Sequence, residues 1–122
     1  MDKEFVTYEQ ALALKELGFD EPCFMAYLNG NLDKELFLFN HSIRSHSTQE
    51  FTSAPLYQQA FRWFREKHDL EHEILYDLGN DLSNKVYLYS IYVTDNRSEE
   101  YKTYEEAESA CLYELIKTVK NK

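Results

Sequence analysis

The tetrapeptides Tyr8-Glu9-Gln10-Ala11, Tyr57-Gln58-Gln59-Ala60 and Tyr104-Glu105-Glu106-Ala107 are three versions of one phrase, 49 and then 47 residues apart. Each opens a stretch of helical periodicity, and two follow a threonine. A hydroxyl before the first helical turn accepts a bond from a backbone N–H that has no partner inside the helix. A Gln or Glu three residues on can reach back to the cap. Thr7 with Gln10 and Thr103 with Glu106 fit that capping box, whereas the middle helix is expected to open on Pro55. Convergent capping chemistry accounts for the repeat as well as an internal duplication does.

Working outward from these starts, helices are expected over residues 7–17, 55–67 and 104–120, with the first stopped by Gly18. Their apolar stripes are Ala11, Leu12, Leu14 and Leu17; Tyr57, Ala60, Phe61 and Phe64; and Ala107, Cys111, Leu115, Ile116 and Val119. Between the helices lie two expected hairpins, over residues 23–39 and 72–94. The first pairs strands 23–28 and 35–39 across Asn29-Gly30-Asn31; the second turns at Gly79-Asn80-Asp81. Residues 40–53 and 95–102 read as polar connections. The run Val86-Tyr87-Leu88-Tyr89-Ser90-Ile91-Tyr92-Val93 is apolar or aromatic on both faces and is expected to be central. The order α-ββ-α-ββ-α thus predicts a single α+β domain over residues 1–122, a mainly antiparallel four-stranded sheet with helices packed on one face.

Composition narrows the function. Hydrophobic residues make up 43% of 122, enough for a packed core. Against 13 basic residues stand 22 acidic ones, for a net charge of −9 that repels phosphate backbones and makes nucleic acid an unfavoured partner. Cys23 and Cys111 do not form a disulfide framework, and Met1-Asp2-Lys3-Glu4 lacks the basic and apolar regions of a signal peptide. No apolar run is long enough to span a membrane. A cytoplasmic protein with no membrane contact is expected.

The usual catalytic patterns are weak here. Three glycines serve as punctuation, leaving no loop to cradle a phosphate, and no cofactor is expected. His68 and His72 have the spacing of helical metal ligands, but a helix ending near Lys67 and a strand beginning near His72 dissolve it, so no metal site is expected. His41 and His46 lie among Ser42, Ser45 and Ser47 without a carboxylate to orient them. Both cysteines read as small core hydrophobes. Glu99, Glu100, Glu105, Glu106 and Glu108 read as a solvated helix start or as a patch for a basic partner. Arg62 and Arg65 share a helix face near Trp63, which is expected to be partly covered beneath a charged outer surface.

Three phrases carry a resemblance: TYEQALALKELGFDEPCF over residues 7–24, APLYQQAFRWFREK over 54–67 and TYEEAESACLYELIK over 103–117. They resemble a family of small uncharacterised proteins encoded by gut bacteria and their phages. The resemblance implies no reaction, ligand or catalytic residue; its phage-linked context fits an accessory protein that binds a partner.

Ten tyrosines are the compositional oddity. The expected function is a non-enzymatic protein-interaction module, using an aromatic sheet face or the acidic surface toward a protein partner or a second copy in a homodimer. Candidate contacts are Phe37, Phe39, Tyr87, Tyr89 and Tyr92, with Trp63, Arg62 and Arg65. Tyr87 and Tyr89 share one strand parity and Tyr92 has the other, so only one set can face the helices. The competing readings are a ligand-binding or enzymatic pocket between the sheet and residues 40–53, with Trp63, His41 or His46 at its rim, and an acidic nucleic-acid mimic.

Overall fold

Each tyrosine phrase sits where a helix begins: α1 is Tyr8–Glu16, α2 is Tyr57–His68 and α3 is Tyr104–Lys120. The computed structural model describes residues 2–23, 25–33, 51–78, 85–92 and 96–121. Thr7 and Gln10 form the full capping box. The Gln10 N–H donates to Thr7 Oγ1 at 3.2 Å, and the Thr7 N–H donates to Gln10 Oε1 at 2.9 Å. Thr103 Oγ1 accepts from the Glu106 N–H at 3.1 Å and donates to the Glu106 carboxylate at 3.2 Å. Pro55 is not the first helical residue of α2; Leu56 intervenes, and its carbonyl accepts from the Ala60 N–H at 3.0 Å.

The chain forms two compact units, Met1–Ala60 and Phe61–Lys122, divided within α2. In the first unit α1 ends in a glycine cap. Gly18 takes φ +101°, its N–H donates to Lys15 O, and the Phe19 N–H donates to Leu14 O. Phe19 and Leu14, brought together by that cap, are both buried. Strands β1 (Met25–Leu28) and β2 (Asn31–Asp33) pair antiparallel around Asn29 and Gly30, at φ 51° and 89°. Positive φ at both turn residues fits the tight two-residue hairpin. It makes Asn31 pair at once with Leu28, so the second strand starts earlier than the sequence suggests. The expected strand over 35–39 lies outside the described residues. β3 (Phe51–Ala54) pairs with the other edge of β1, inside a stretch expected to be irregular. α1 packs against β3.

A buried polar link joins the first two tyrosine phrases. Gln10 is fully buried, and Tyr57, the first residue of α2, donates its hydroxyl to Gln10 Oε1 at 2.9 Å. The same carbonyl oxygen therefore serves the α1 cap and the Tyr57 phenol. Tyr27 adds a second tie, donating its hydroxyl to Val6 O at 2.7 Å.

In the second unit β4 (His72–Asp77) and β5 (Val86–Ile91) pair antiparallel, with Ile74 opposite Tyr89 and Tyr76 opposite Tyr87. The connection expected after β5 instead runs along it. β6 (Asn96–Arg97) pairs Asn96 with Ile91 and Arg97 with Ser90, and Tyr101 then exchanges two backbone bonds of 2.7 Å with Tyr87. These registers differ by one residue, which makes a bulge over residues 98–100. There Ser98 Oγ accepts the Tyr89 N–H at 2.8 Å. α3 packs on β5 and β4, burying Ala107, Cys111, Leu112, Leu115 and Ile116.

The broad α+β reading holds, but the four-stranded sheet does not: the described strands form two three-stranded antiparallel sheets, ordered β2-β1-β3 and β4-β5-β6. Each hairpin recruits its third strand from a polar segment that follows it. Such segments carry little apolar periodicity, and backbone pairing supplies the order instead.

Candidate functional site

Strand parity in the second unit settles which tyrosines face α3. Tyr87, Tyr89 and Ile91 lie on one side of β5, opposite Tyr76, Ile74 and His72 on β4. The Tyr87 ring meets the Tyr104 ring of α3 edge-on at 6.0 Å, and Ile91 is 1% exposed, so this is the helix-facing side. Tyr92 continues the other side. It is 57% exposed, and a hydrogen bond to the Glu73 carboxylate holds its phenol above the ordinary value.

The tyrosines of this side form two ring groups, Tyr76 with Tyr87 and Tyr104, and Tyr89 with Tyr101, joined by the backbone pairing of Tyr87 with Tyr101. Tyr76 and Tyr87 are cross-strand neighbours with ring centroids 6.3 Å apart, and Tyr89 stacks on Tyr101 at 6.4 Å. Tyr87 and Tyr89 are half-buried, whereas Tyr76 is 64% and Tyr104 40% exposed. The Lys85 ammonium lies 5.5 Å from the Tyr87 ring centroid, a cation over an aromatic face. Burial, then Glu114, Tyr101, Cys111 and Glu99, push the Tyr89 phenol up to about 12. Burial, then Glu99 and Glu114, raise Tyr101. Burial, then Glu108, Cys111 and Glu105, raise Tyr104. At Tyr89, Tyr101 and Tyr104 the nearby carboxylates thus add to burial in disfavouring the phenolate, and the same charges favour a nearby cation.

The remaining candidates scatter. Phe37, Phe39, His41 and His46 lie outside the described residues. Trp63 is 4% exposed and packs edge-on against Phe64 at 5.1 Å and His68 at 4.9 Å, so it belongs to the core rather than to a contact surface or a pocket rim. Its position one residue off the apolar stripe hid this, because Phe61 and Phe64 alone fill the i, i+3 pattern. Arg62 reaches Glu66 on the next turn at 3.6 Å, with both side chains more than half exposed. Arg65 is half-buried.

The two histidines turn to different rings. His68 ends α2 beside Trp63, while His72 begins β4 and stacks on Phe61 at 3.8 Å and 21°. Burial, then Arg65, against a smaller pull from Glu73, hold His72 down at about 4. Its Nδ1 is buried without a hydrogen-bond partner. Among the described residues no three His, Cys, Asp or Glu side chains gather as a metal site. Cys23 and Cys111 are both buried, and burial first of all pushes each thiol up to about 12. Such thiols are poor nucleophiles. No helix among the described residues is long and apolar enough to cross a membrane.

Sequence reasoning missed Tyr76, Tyr104 and Tyr113 as surface residues. Tyr76 acquires its place from the β4–β5 register, which the sequence leaves open. Tyr104 was legible as a helix opener, but the same phrase lands in three settings. Tyr8 tilts against Tyr27 at 5.4 Å, Tyr57 is buried on Gln10, and Tyr104 stands at the surface. No protein-family model, curated protein or solved structure matches the chain.

Proposed function

We propose that the chain is a non-enzymatic protein-interaction module whose contact surface is the tyrosine-bearing sheet and helix of the second unit. One observation carries this reading. Every large hydrophobic side chain exposed among the described residues is a tyrosine of that unit: Tyr76 at 64%, Tyr92 at 57%, Tyr113 at 46% and Tyr104 at 40%. A tyrosine offers a large rigid ring and a polar tip, so it is tolerated in water yet gains much on burial against a partner. In the first unit, by contrast, the Tyr57 and Tyr27 phenols turn inward, onto Gln10 and onto Val6 O. The resemblance of the helix-opening phrases to phage-linked proteins accords with a partner-binding role.

The test compares the wild type with Tyr76→Ser/Tyr104→Ser and with Tyr92→Ser. Light scattering coupled to size exclusion reads self-association at about 50 mM and about 500 mM salt, a range over which surface charge is progressively screened. Affinity capture reads other partners. The reading expects a dimer or a captured protein that one of these variants releases. A wild type that stays monomeric and captures nothing, or an association that both variants retain, overturns it.

A further inference from the structure

Several carboxylates of the second unit lie beside its tyrosines. Tyr76, Tyr87 and Tyr104 make a run of rings at 6.3 and 6.0 Å, and the backbone pairing of Tyr87 with Tyr101 brings in Tyr101 and Tyr89 behind them. Glu108 and Glu105 of α3 act on Tyr104, while Glu99 of the bulge and Glu114 of α3 act on Tyr89 and Tyr101; Glu99 and Glu105 are exposed. Lys85 already sits over the Tyr87 face, showing the kind of group these rings accept. Aromatic faces flanked by carboxylates favour a guanidinium or ammonium: the ring quadrupole and the carboxylate charge act in the same direction. The overall charge of −9 would steer a basic segment toward the surface and repel a phosphate backbone. It also repels a second copy of the chain.

We propose that the cluster of Tyr76, Tyr87 and Tyr104, with Glu105 beside Tyr104 and with Glu99 and Glu114 beside the adjoining Tyr89 and Tyr101, is a docking site for an arginine-rich segment of a partner protein. The inference rests on the interaction reading above and assigns it a partner chemistry. The exposed ring faces of Tyr76 and Tyr104 stack on guanidinium planes, as Lys85 caps Tyr87. The carboxylates select basic over acidic chains. Arginine is favoured over lysine because its planar group pairs with a ring face and a carboxylate at once.

The test uses a fluorescent peptide of alternating arginine and glycine, read by anisotropy against the full chain, with lysine and glutamate versions as controls. The arginine peptide should bind, the lysine peptide several-fold more weakly, and the glutamate peptide not at all. Tyr76→Ser/Tyr104→Ser should lose about tenfold in affinity, while Tyr76→Phe, which keeps the ring, should bind like the wild type. Glu105→Gln/Glu114→Gln should weaken binding and flatten its salt dependence. Circular dichroism and the emission of buried Trp63 establish that each variant is folded. Absence of binding by the arginine peptide overturns the proposal. So does binding that Tyr76→Ser/Tyr104→Ser retains, because general charge attraction then suffices. If the peptide fails while the variants still abolish self-association or capture, only the basic-segment assignment falls. If both assays are indifferent to the tyrosines, the interaction reading falls with it.

Discussion

His72 makes the stability of the second unit depend on pH in a calculable way. Its ring stacks on Phe61, its Nδ1 is buried without a partner, and its pKa is held at about 4 against an ordinary 6.5. The folded chain therefore binds this proton less readily than the unfolded chain. Stability from this group is fully present above about pH 6.5 and is lost as pH falls toward about 4, because the unfolded state takes up the proton first. The gap of about 2.5 pH units, at about 1.4 kcal/mol each, sets an upper bound of about 3.5 kcal/mol. His72 is half-buried, so solvent screening reduces the expected loss to roughly 1.5–2 kcal/mol. His72→Phe keeps a ring against Phe61 and removes the titration. Urea denaturation followed by Trp63 emission, at about pH 7 and about pH 4, should show the wild type losing roughly 1 M more in midpoint than the variant. The carboxylates titrate in both proteins and cancel in that difference. At about pH 7 the variant should be neutral or about 1 kcal/mol more stable, since an unpaired buried nitrogen has gone. Equal pH dependence in the two proteins, or a His72 ring that titrates in magnetic resonance at its ordinary value, would refute the reasoning.

Gln10→Ala removes half of the α1 capping box and leaves the Tyr57 hydroxyl buried without its acceptor, which should cost about 2–4 kcal/mol in denaturant unfolding, against about 1 kcal/mol for Tyr57→Phe. Equal costs would count against the shared acceptor. Thr52 is 1% exposed with an unpaired hydroxyl, so Thr52→Val should stabilise the first unit by about 1 kcal/mol; a loss of that size would mean the hydroxyl is bonded after all. Cys23 and Cys111 should both resist iodoacetamide at about pH 8 in the folded protein and react in urea, as mass spectrometry would show; modification of either thiol in the folded chain contradicts its raised pKa.

The helices were legible because their signals are local. A threonine cap, a Gln or Glu three residues on and Gly18 at the end lie within one turn of the boundary they set. The first turn was equally local: Asn29-Gly30 demands positive φ at both positions and obtains it. Sheet membership was not, because it depends on partners far along the chain. Phe51–Ala54 contains Thr and Ser that mimic a loop until β1 pairs with them, and residues 96–101 hide a third strand behind a bulge capped by Ser98. The tyrosine site was half legible for the same reason. Parity separated Tyr92 from Tyr87 and Tyr89, but only the register opposite Tyr76 and the ring of Tyr104 reveal which set meets α3. Trp63 was misplaced because one-face periodicity leaves no room for a core wider than its stripe.

Site-specific photo-crosslinking addresses the interaction surface itself. Tyr76→p-benzoylphenylalanine and Tyr92→p-benzoylphenylalanine place a photoreactive ring where exposed tyrosines stand, and Glu16→p-benzoylphenylalanine on exposed α1 serves as the control. On irradiation in cells, the account predicts a discrete protein adduct from position 76 or 92, absent from position 16. Adducts from position 16 alone, or none from any position, would contradict the assignment of the tyrosine surface as the place where this protein meets its partner.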